Sequence, residues 1–266
     1  MNIDNMDFVY IIKPGEKGVE LRYSLRSIAK WYPNHKIWIV GYKPEWLQNV
    51  EYLPVEQKGT KWTNSTNNVI AACNCEDISE DFILMNDDFF CIDPTMPLED
   101  IINSNLGPLD KVIDHYGKQK STWATGFKYI NELLKKLKIE EPLYSYEAHL
   151  PLQINKKKFL EVISLSEVQE FMKTSKILHK RTLYKNYDKP EKIITLKADT
   201  KVTKRKDISK KTLEVCGWLS TADGLVENPQ FHDLNKILRQ NLSESCIYEK
   251  PLPVKIKPKK EKFINY

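Results

Sequence analysis

Short apolar runs and helical stripes alternate along the first ninety residues. Asp7 to Ile12 is a run rich in β-formers, closed by the Pro/Gly turn Lys13 to Gly18, and reads as a strand followed by a loop. Leu21, Leu25, Ile28 and Tyr32 then recur at helical spacing until Pro33 and Asn34 stop the pattern. Lys36 to Gly41 reads as a second strand. Thr63 to Asn68 offers several N-cap residues ahead of Val69, which predicts a helix opening near Ser65. Phe82 to Met85 is a third buried strand. Continuous apolar strands alternating with helices predict an α/β fold with a mostly parallel central sheet, covered by helices on both faces, and ligands at the carboxyl ends of its strands.

Beyond residue 120 the pattern turns helical and irregular. Phe127, Ile130, Leu134 and Leu137 share one face, and Ser166 to Gln169 resembles a capping box opening another helix. Residues 176–211 carry lysines with scattered β-formers and take no firm assignment. The division expected is an α/β half over residues 1–120, a second half over 121–250 completing the same domain, and a basic extended tail over 251–266.

Composition narrows the class. The chain has 266 residues, 41% apolar and 29% charged, which is globular. Its start lacks the flank and apolar stretch of a signal peptide, and no apolar run approaches the roughly 20 residues that span a bilayer. Five cysteines, an odd number in a chain of this size, argue against a disulfide framework. The expectation is a soluble cytoplasmic protein with reduced thiols and no membrane insertion. The net charge of +5 conceals an asymmetry: residues 1–100 hold 9 Lys and Arg against 16 Asp and Glu, whereas residues 154–211 hold 17 against 7. A basic second half suits a polyanionic partner.

The chemistry centres on Asp87 and Asp88, which follow the third strand and interrupt an apolar segment that resumes at Phe89, Phe90 and Ile92. Charge there needs a cation or hydrogen-bond donors. Two hard oxygen ligands at a binding edge suit Mg²⁺ or Mn²⁺ bridging to phosphates, the chemistry of a nucleotide-sugar site. An Asp-Asp that merely begins a surface turn is the plainer alternative.

Glu20 to Ser27, Trp38 to Val40, Lys43 to Trp46 and Met85 to Phe90 resemble the second conserved region of the Stealth family, sugar-1-phosphate transferases of capsule and lysosomal-tag synthesis. Tyr146 to Pro151 and Leu242 to Glu249 are similar to later segments of that family. Phe8 to Gly15 and Ile39 to Pro44 resemble short phage-encoded glycosyltransferases. The resemblance implies a GT-A-like nucleotide-sugar fold. The chain departs from Stealth proteins at Ile12 to Glu16, where their Trp-Val-Asn/Asp-Gly-x-Asp opening motif is absent.

The expected site follows. Asp87 and Asp88 would bind metal, with His232, next to Asp233, completing the shell. Lys13, Pro14, Gly15, Lys61, Asn64 and Asn67, with Ser65, would hold the nucleotide-sugar donor. Arg22 and Arg26, four apart on one helical face, would clamp its diphosphate. Glu147 or His149 would act as base toward a hydroxyl acceptor, and Asp88 is a further catalytic candidate. Solvated arginines, simple N-capping and a backbone-satisfied histidine are the bland readings. Trp123 and Trp218 are stacking candidates that core packing explains as well. The leading function is a metal-dependent glycosyltransferase moving a hexose from a nucleotide diphosphate sugar to a hydroxyl, with hydroxymethylated DNA or an anionic glycan as acceptors matching the lysines. The alternatives are sugar-1-phosphate transfer and a non-catalytic nucleic-acid-binding protein.

Overall fold

A computed structural model describes residues 3–15, 18–175, 177–203, 216–222, 224–228 and 232–251, with the side chains of 232 and 233 outside the description. Strands β1 (Asp7–Ile12), β2 (Ile37–Gly41), β3 (Glu51–Pro54), β4 (Asp81–Met85) and β7 (Leu152–Asn155) form one sheet in the order β3-β2-β1-β4-β7. The first four run parallel, and β7 is antiparallel to β4. Helix α1 (Val19–Trp31) links β1 to β2, and α2 (Lys61–Asn74) links β3 to β4.

Side chains alternate across the sheet with the period of two that a strand imposes. Phe8, Tyr10 and Ile12 join Leu21, Leu25 and Ile28 of α1 in one core. Val9 and Ile11 face the other core, with Val69 of α2, Phe127 and Ile130 of α5 (Thr122–Lys136), Phe159 of α6 (Lys156–Ser164) and Leu183 of α8 (Lys180–Tyr187). Removing each such large apolar side chain from water stabilises the fold by about 1.5–3 kcal/mol. The buried Asp7 carboxylate accepts hydrogen bonds from Trp38 Nε1 at 3.1 Å and the Ser79 amide at 2.9 Å, which ties the entry of β1 to β2 and to the loop before β4.

The remaining elements build the site's walls. A second sheet has the order β5-β10-β9, from β5 (Phe89–Cys91), β9 (Lys201–Val202) and β10 (Trp218–Thr221), and β6 (Ser104–Asn105) pairs with β8 (Ile194–Thr195). Short helices α3 (Leu98–Ile101) and α4 (Leu109–Tyr116) precede α5, α7 (Ser166–Thr174) follows α6, and α9 (His232–Asn241) comes near the end. No helix among the described residues is long and apolar enough to cross a membrane. All five cysteines are free, and burial pushes the Cys73 thiol up to about 12, as suits an idle core residue.

Local expectations needed three adjustments. Helix α2 opens at Lys61, because the Thr60 side chain caps it by accepting from the Thr63 amide at 3.3 Å. The capping box at Ser166 does not form: Leu165 is the N-cap, and Ser166 Oγ donates to the adjacent Glu167 carboxylate at 2.9 Å. The unassigned lysine-rich stretch contains α8, whose residues Arg181 to Asn186 are buried.

Candidate active site

In the order β3-β2-β1-β4 the sequence of strand addition reverses between β1 and β4, which run parallel, and a crevice opens there beyond the carboxyl ends of the parallel strands. It has a volume of about 880 Å³. Lys13, Lys61, Asn64, Ser65, Asp87, Asp88, Glu147 and His149, all expected from the sequence, line it. Residues drawn from positions 13 to 149 thus converge on one cavity.

The acidic pair occupies the turn between β4 and β5. Its position follows from the chain pattern: Met85 ends a strand buried from Phe82 onward and Phe89 begins a fully buried one, so the two carboxylates sit where the backbone surfaces. Asp88 Oδ2 accepts from Ser220 Oγ of β10 at 2.7 Å and lies 3.6 Å from Lys201 Nζ of β9. Both carboxylates line the cavity, where an extended strand would have sent them to opposite faces.

In the same lining, His149 is held through its ring, its backbone N–H and its carbonyl by Asp199 and Thr200. Its Nδ1 lies 3.0 and 2.9 Å from the two oxygens of Asp199, its backbone N–H donates to Asp199 Oδ1 at 3.4 Å, and its carbonyl accepts from Thr200 Oγ1 at 2.8 Å. Burial raises the Asp199 carboxyl, but the charge and hydrogen bonds of His149 outweigh it, and the group is held below the usual carboxylate range. An ionised Asp199 makes Nδ1 the donor, so Nε2 is the ring nitrogen left for chemistry.

Glu147, two residues earlier, is bound differently. Its Oε1 accepts from the Thr182 amide at 3.2 Å, and its Oε2 lies 3.6 Å from His179 Nδ1. Burial alone would raise its pKa, but His179, Arg181 and Lys180 outweigh that and hold it at about 2. A carboxylate so stabilised is a weak proton acceptor. Glu147 serves instead to gather the basic start of α8.

That start is the part of the site that sequence reasoning missed. Arg181, 6% exposed, donates through Nη1 to the carbonyls of Ala148 at 3.1 Å and Leu150 at 2.6 Å, and its guanidinium lies 5.2 Å from the centre of the Phe89 ring. Lys180 donates to Ser65 Oγ at 2.8 Å, and burial pushes its ammonium down to about 8 against the pull of Glu147. The run His179-Lys180-Arg181 was visible only as part of a lysine-rich stretch. Asp199 carried no local signal at all.

The other expected residues lie partly inside and partly outside the cavity lining. Arg22 and Arg26 do share a face of α1, but neither lines the cavity. Arg26 grips Glu249 with Nε at 2.6 Å and Nη2 at 2.9 Å, Arg22 Nη1 reaches the same carboxylate at 2.8 Å, and the Arg22 guanidinium stacks 3.8 Å from the Trp46 ring. Their anion is a buried side chain more than 220 positions later in the chain. Pro14 and Gly15 form an exposed turn outside the lining, where Gly15 takes a φ of +77° that favours glycine. Asn67 is exposed on the outer side of α2, and its neighbour Asn68 lines the cavity instead. Asn64 lines the cavity while pinning its own loop through two hydrogen bonds with Gly59. Trp218 is fully buried and stacks on Tyr32, whereas Trp123 lines the cavity with its ring 6.0 Å from that of His149.

For a divalent cation, Asp87 and Asp88 supply two hard oxygen donors. Among the described residues no group of three or more His, Cys, Asp or Glu is arranged to hold a metal, and the His232 side chain lies outside them. Two carboxylates nonetheless fit Mg²⁺ or Mn²⁺, which typically takes one or two from the protein and completes its shell with phosphate oxygens and water.

No protein-family model matches the sequence, and no curated protein does. Solved structures do match the fold. The galactosyltransferase LgtC, determined in complex with donor and acceptor sugar analogues, superposes with a TM-score of 0.51 at 10% identity, over 94% of this chain and 98% of its own. The bifunctional glycosyltransferase WbbM superposes with a TM-score of 0.55 at 11% identity, over 91% of this chain but 50% of its own. The chain therefore has the GT-A-like α/β fold of these glycosyltransferases, with a mostly parallel central sheet.

Proposed function

We propose that this chain is a metal-dependent glycosyltransferase that moves a hexose from a nucleotide diphosphate sugar to a hydroxyl acceptor. The observation that carries the reading is that the Asp87–Asp88 turn and the His149–Asp199 pair line one cavity at the switch point of a GT-A-like sheet. The donor half is residues 1–120, with Lys13, Lys61 and Asn64 toward the nucleotide sugar, and the acceptor half is residues 121–250. Asp87 and Asp88 would hold a divalent ion, which when bound would supply Lewis-acid neutralisation of the departing diphosphate.

The chain's own residues divide the remaining work. His149 Nε2 takes the proton of the acceptor hydroxyl, and Asp199 keeps Nδ1 protonated and stabilises the imidazolium that results. Lys180 and Arg181 add positive potential where phosphate charge gathers. Trp123 offers an aromatic face beside His149 on which an acceptor ring can stack. Lysines 180 and 201 at the cavity suit an anionic acceptor, hydroxymethylated DNA or an acidic glycan.

A second reading rests on the same base. A hydroxyl activated by His149 can attack phosphorus instead of the sugar carbon, as in the Stealth reaction, and then a nucleoside monophosphate leaves. The test is to incubate the protein with a panel of nucleotide sugars and Mn²⁺ and to chromatograph the nucleotide released. Nucleoside diphosphate is expected, and EDTA should abolish its release. Monophosphate would replace the proposal with sugar-phosphate transfer. Salt-sensitive DNA binding without any turnover, unchanged in Asp87→Asn and Asp88→Asn, would leave the non-catalytic reading.

A further inference from the structure

Lys201 stands at the junction between the His149–Asp199 pair and the acidic pair. Its backbone N–H donates at 3.3 Å to Asp199 Oδ1, the oxygen that also lies 3.0 Å from His149 Nδ1. Its side chain crosses to the acidic pair, with Nζ 3.6 Å from Asp88 Oδ2. The strand pairing of β9 with β10 sets this reach, since Lys201 lies directly beside Ser220, whose hydroxyl donates to the same oxygen. The two basic residues near Asp88 differ in freedom. Arg181 is 6% exposed and anchored to two backbone carbonyls. The Lys201 side chain is 25% exposed, on a flexible four-carbon stem, in the wall of the cavity.

We propose that Lys201 is a displaceable internal cation: it balances Asp88 while the donor site is empty and turns to the donor's diphosphate when the divalent ion takes its place. This rests on the reading of the cavity as a nucleotide-sugar site. Local charge balance motivates it. A carboxylate in a partly buried turn needs a positive neighbour in either state, and a diphosphate brought in with one divalent ion still carries net negative charge for a second cation to meet. The ammonium at 3.6 Å also repels an incoming metal, so it sets a threshold below which the ion binds only together with nucleotide.

Two opposite effects of one substitution test this. In Lys201→Met, which keeps the stem and the strand pairing, Mn²⁺ alone, titrated by electron paramagnetic resonance, should bind about tenfold tighter than in the wild type. UDP and GDP, titrated calorimetrically in EDTA, should bind about tenfold more weakly to the variant for whichever nucleotide the wild type prefers. Lys201→Arg should restore both values to within about twofold, and thermal melts of both variants check that they fold. If Mn²⁺ affinity is unchanged or falls in a folded Lys201→Met while the wild type binds both ligands, the displaceable-cation role is wrong and the donor site stands. If both affinities drop together, Lys201 is an ordinary structural contact. If the wild type binds neither Mn²⁺ nor either nucleotide, the donor-site reading itself fails and takes this role with it.

Discussion

A histidine is informative about chemistry only when the partner of each ring nitrogen is known. At His149 the Nδ1 side is closed by both oxygens of Asp199, which orients the ring and leaves Nε2 toward its task. His149→Gln should therefore lower kcat by about 10²–10⁴-fold with little change in donor affinity. Asp199→Asn should lower kcat by a smaller factor, roughly 10–100-fold, because the base is misoriented and not removed. Steady-state kinetics with saturating donor measures both, and loss of donor affinity without loss of kcat would show that the pair binds ligand and moves no proton. Glu147 illustrates the opposite case. Its folded pKa of about 2 lies below the 4.5 of an unperturbed glutamate, so its contribution to stability is complete above about pH 4.5 and is lost as the pH falls toward 2. Glu147→Gln should destabilise the protein at pH 7 and flatten the acid limb of its stability curve. Urea melts between pH 2.5 and 7 would show it, and an unaltered acid limb would mean the carboxylate is not held as described.

At the scale of elements, the end of the described chain is fastened to the beginning. Glu249, 5% exposed, is bound by Arg22 and Arg26 of α1, and its backbone N–H donates to the Cys246 carbonyl. Burial raises the Glu249 carboxyl, but the two arginines outweigh it and hold it below the usual carboxylate range. Glu249→Ala should cost about 2–3 kcal/mol, less than a fully buried pair, since both arginines are partly exposed and can rehydrate. Arg26→Met should lower the melting temperature similarly while leaving the dissociation constant for nucleotide unchanged. A clear weakening of nucleotide binding at full stability would reinstate the diphosphate clamp. The spacing of Arg22 and Arg26 was legible as one face of a helix. Their partner was not, because an ion pair between positions 26 and 249 depends on how β2 and its following loop carry the chain end back across α1.

For the molecule as a whole, the acidic first half and basic second half meet across the cavity, which has Asp87 and Asp88 on one side and Lys180, Arg181 and Lys201 among its other walls. If the acceptor is a polyanion, raising the salt from 50 to 200 mM should raise the acceptor KM several-fold or more while the donor KM moves little, because contacts inside the crevice are less screened than those on open surface. A neutral acceptor predicts no such split. The β1–α1–β2 unit, β4 and the acidic turn were readable from the sequence because strand and helix periodicities, proline and glycine stops and the sudden entry of charge into an apolar run are all local signals. Strand β3, the antiparallel β7 and helix α8 were not, since their residues lack a clean period: β3 is largely exposed, and β7 and α8 owe their burial to neighbours far away in the chain. The sequence by itself thus determined the layered α/β architecture and put carboxylates at the end of a central strand. Only the tertiary structure decided that Asp199, Arg181 and Lys201 line the cavity with those carboxylates while Arg22 and Arg26 do not, because a side chain's partner depends on which segments the fold brings within a few ångströms, and sequence spacing measures that distance only within a single helix or strand.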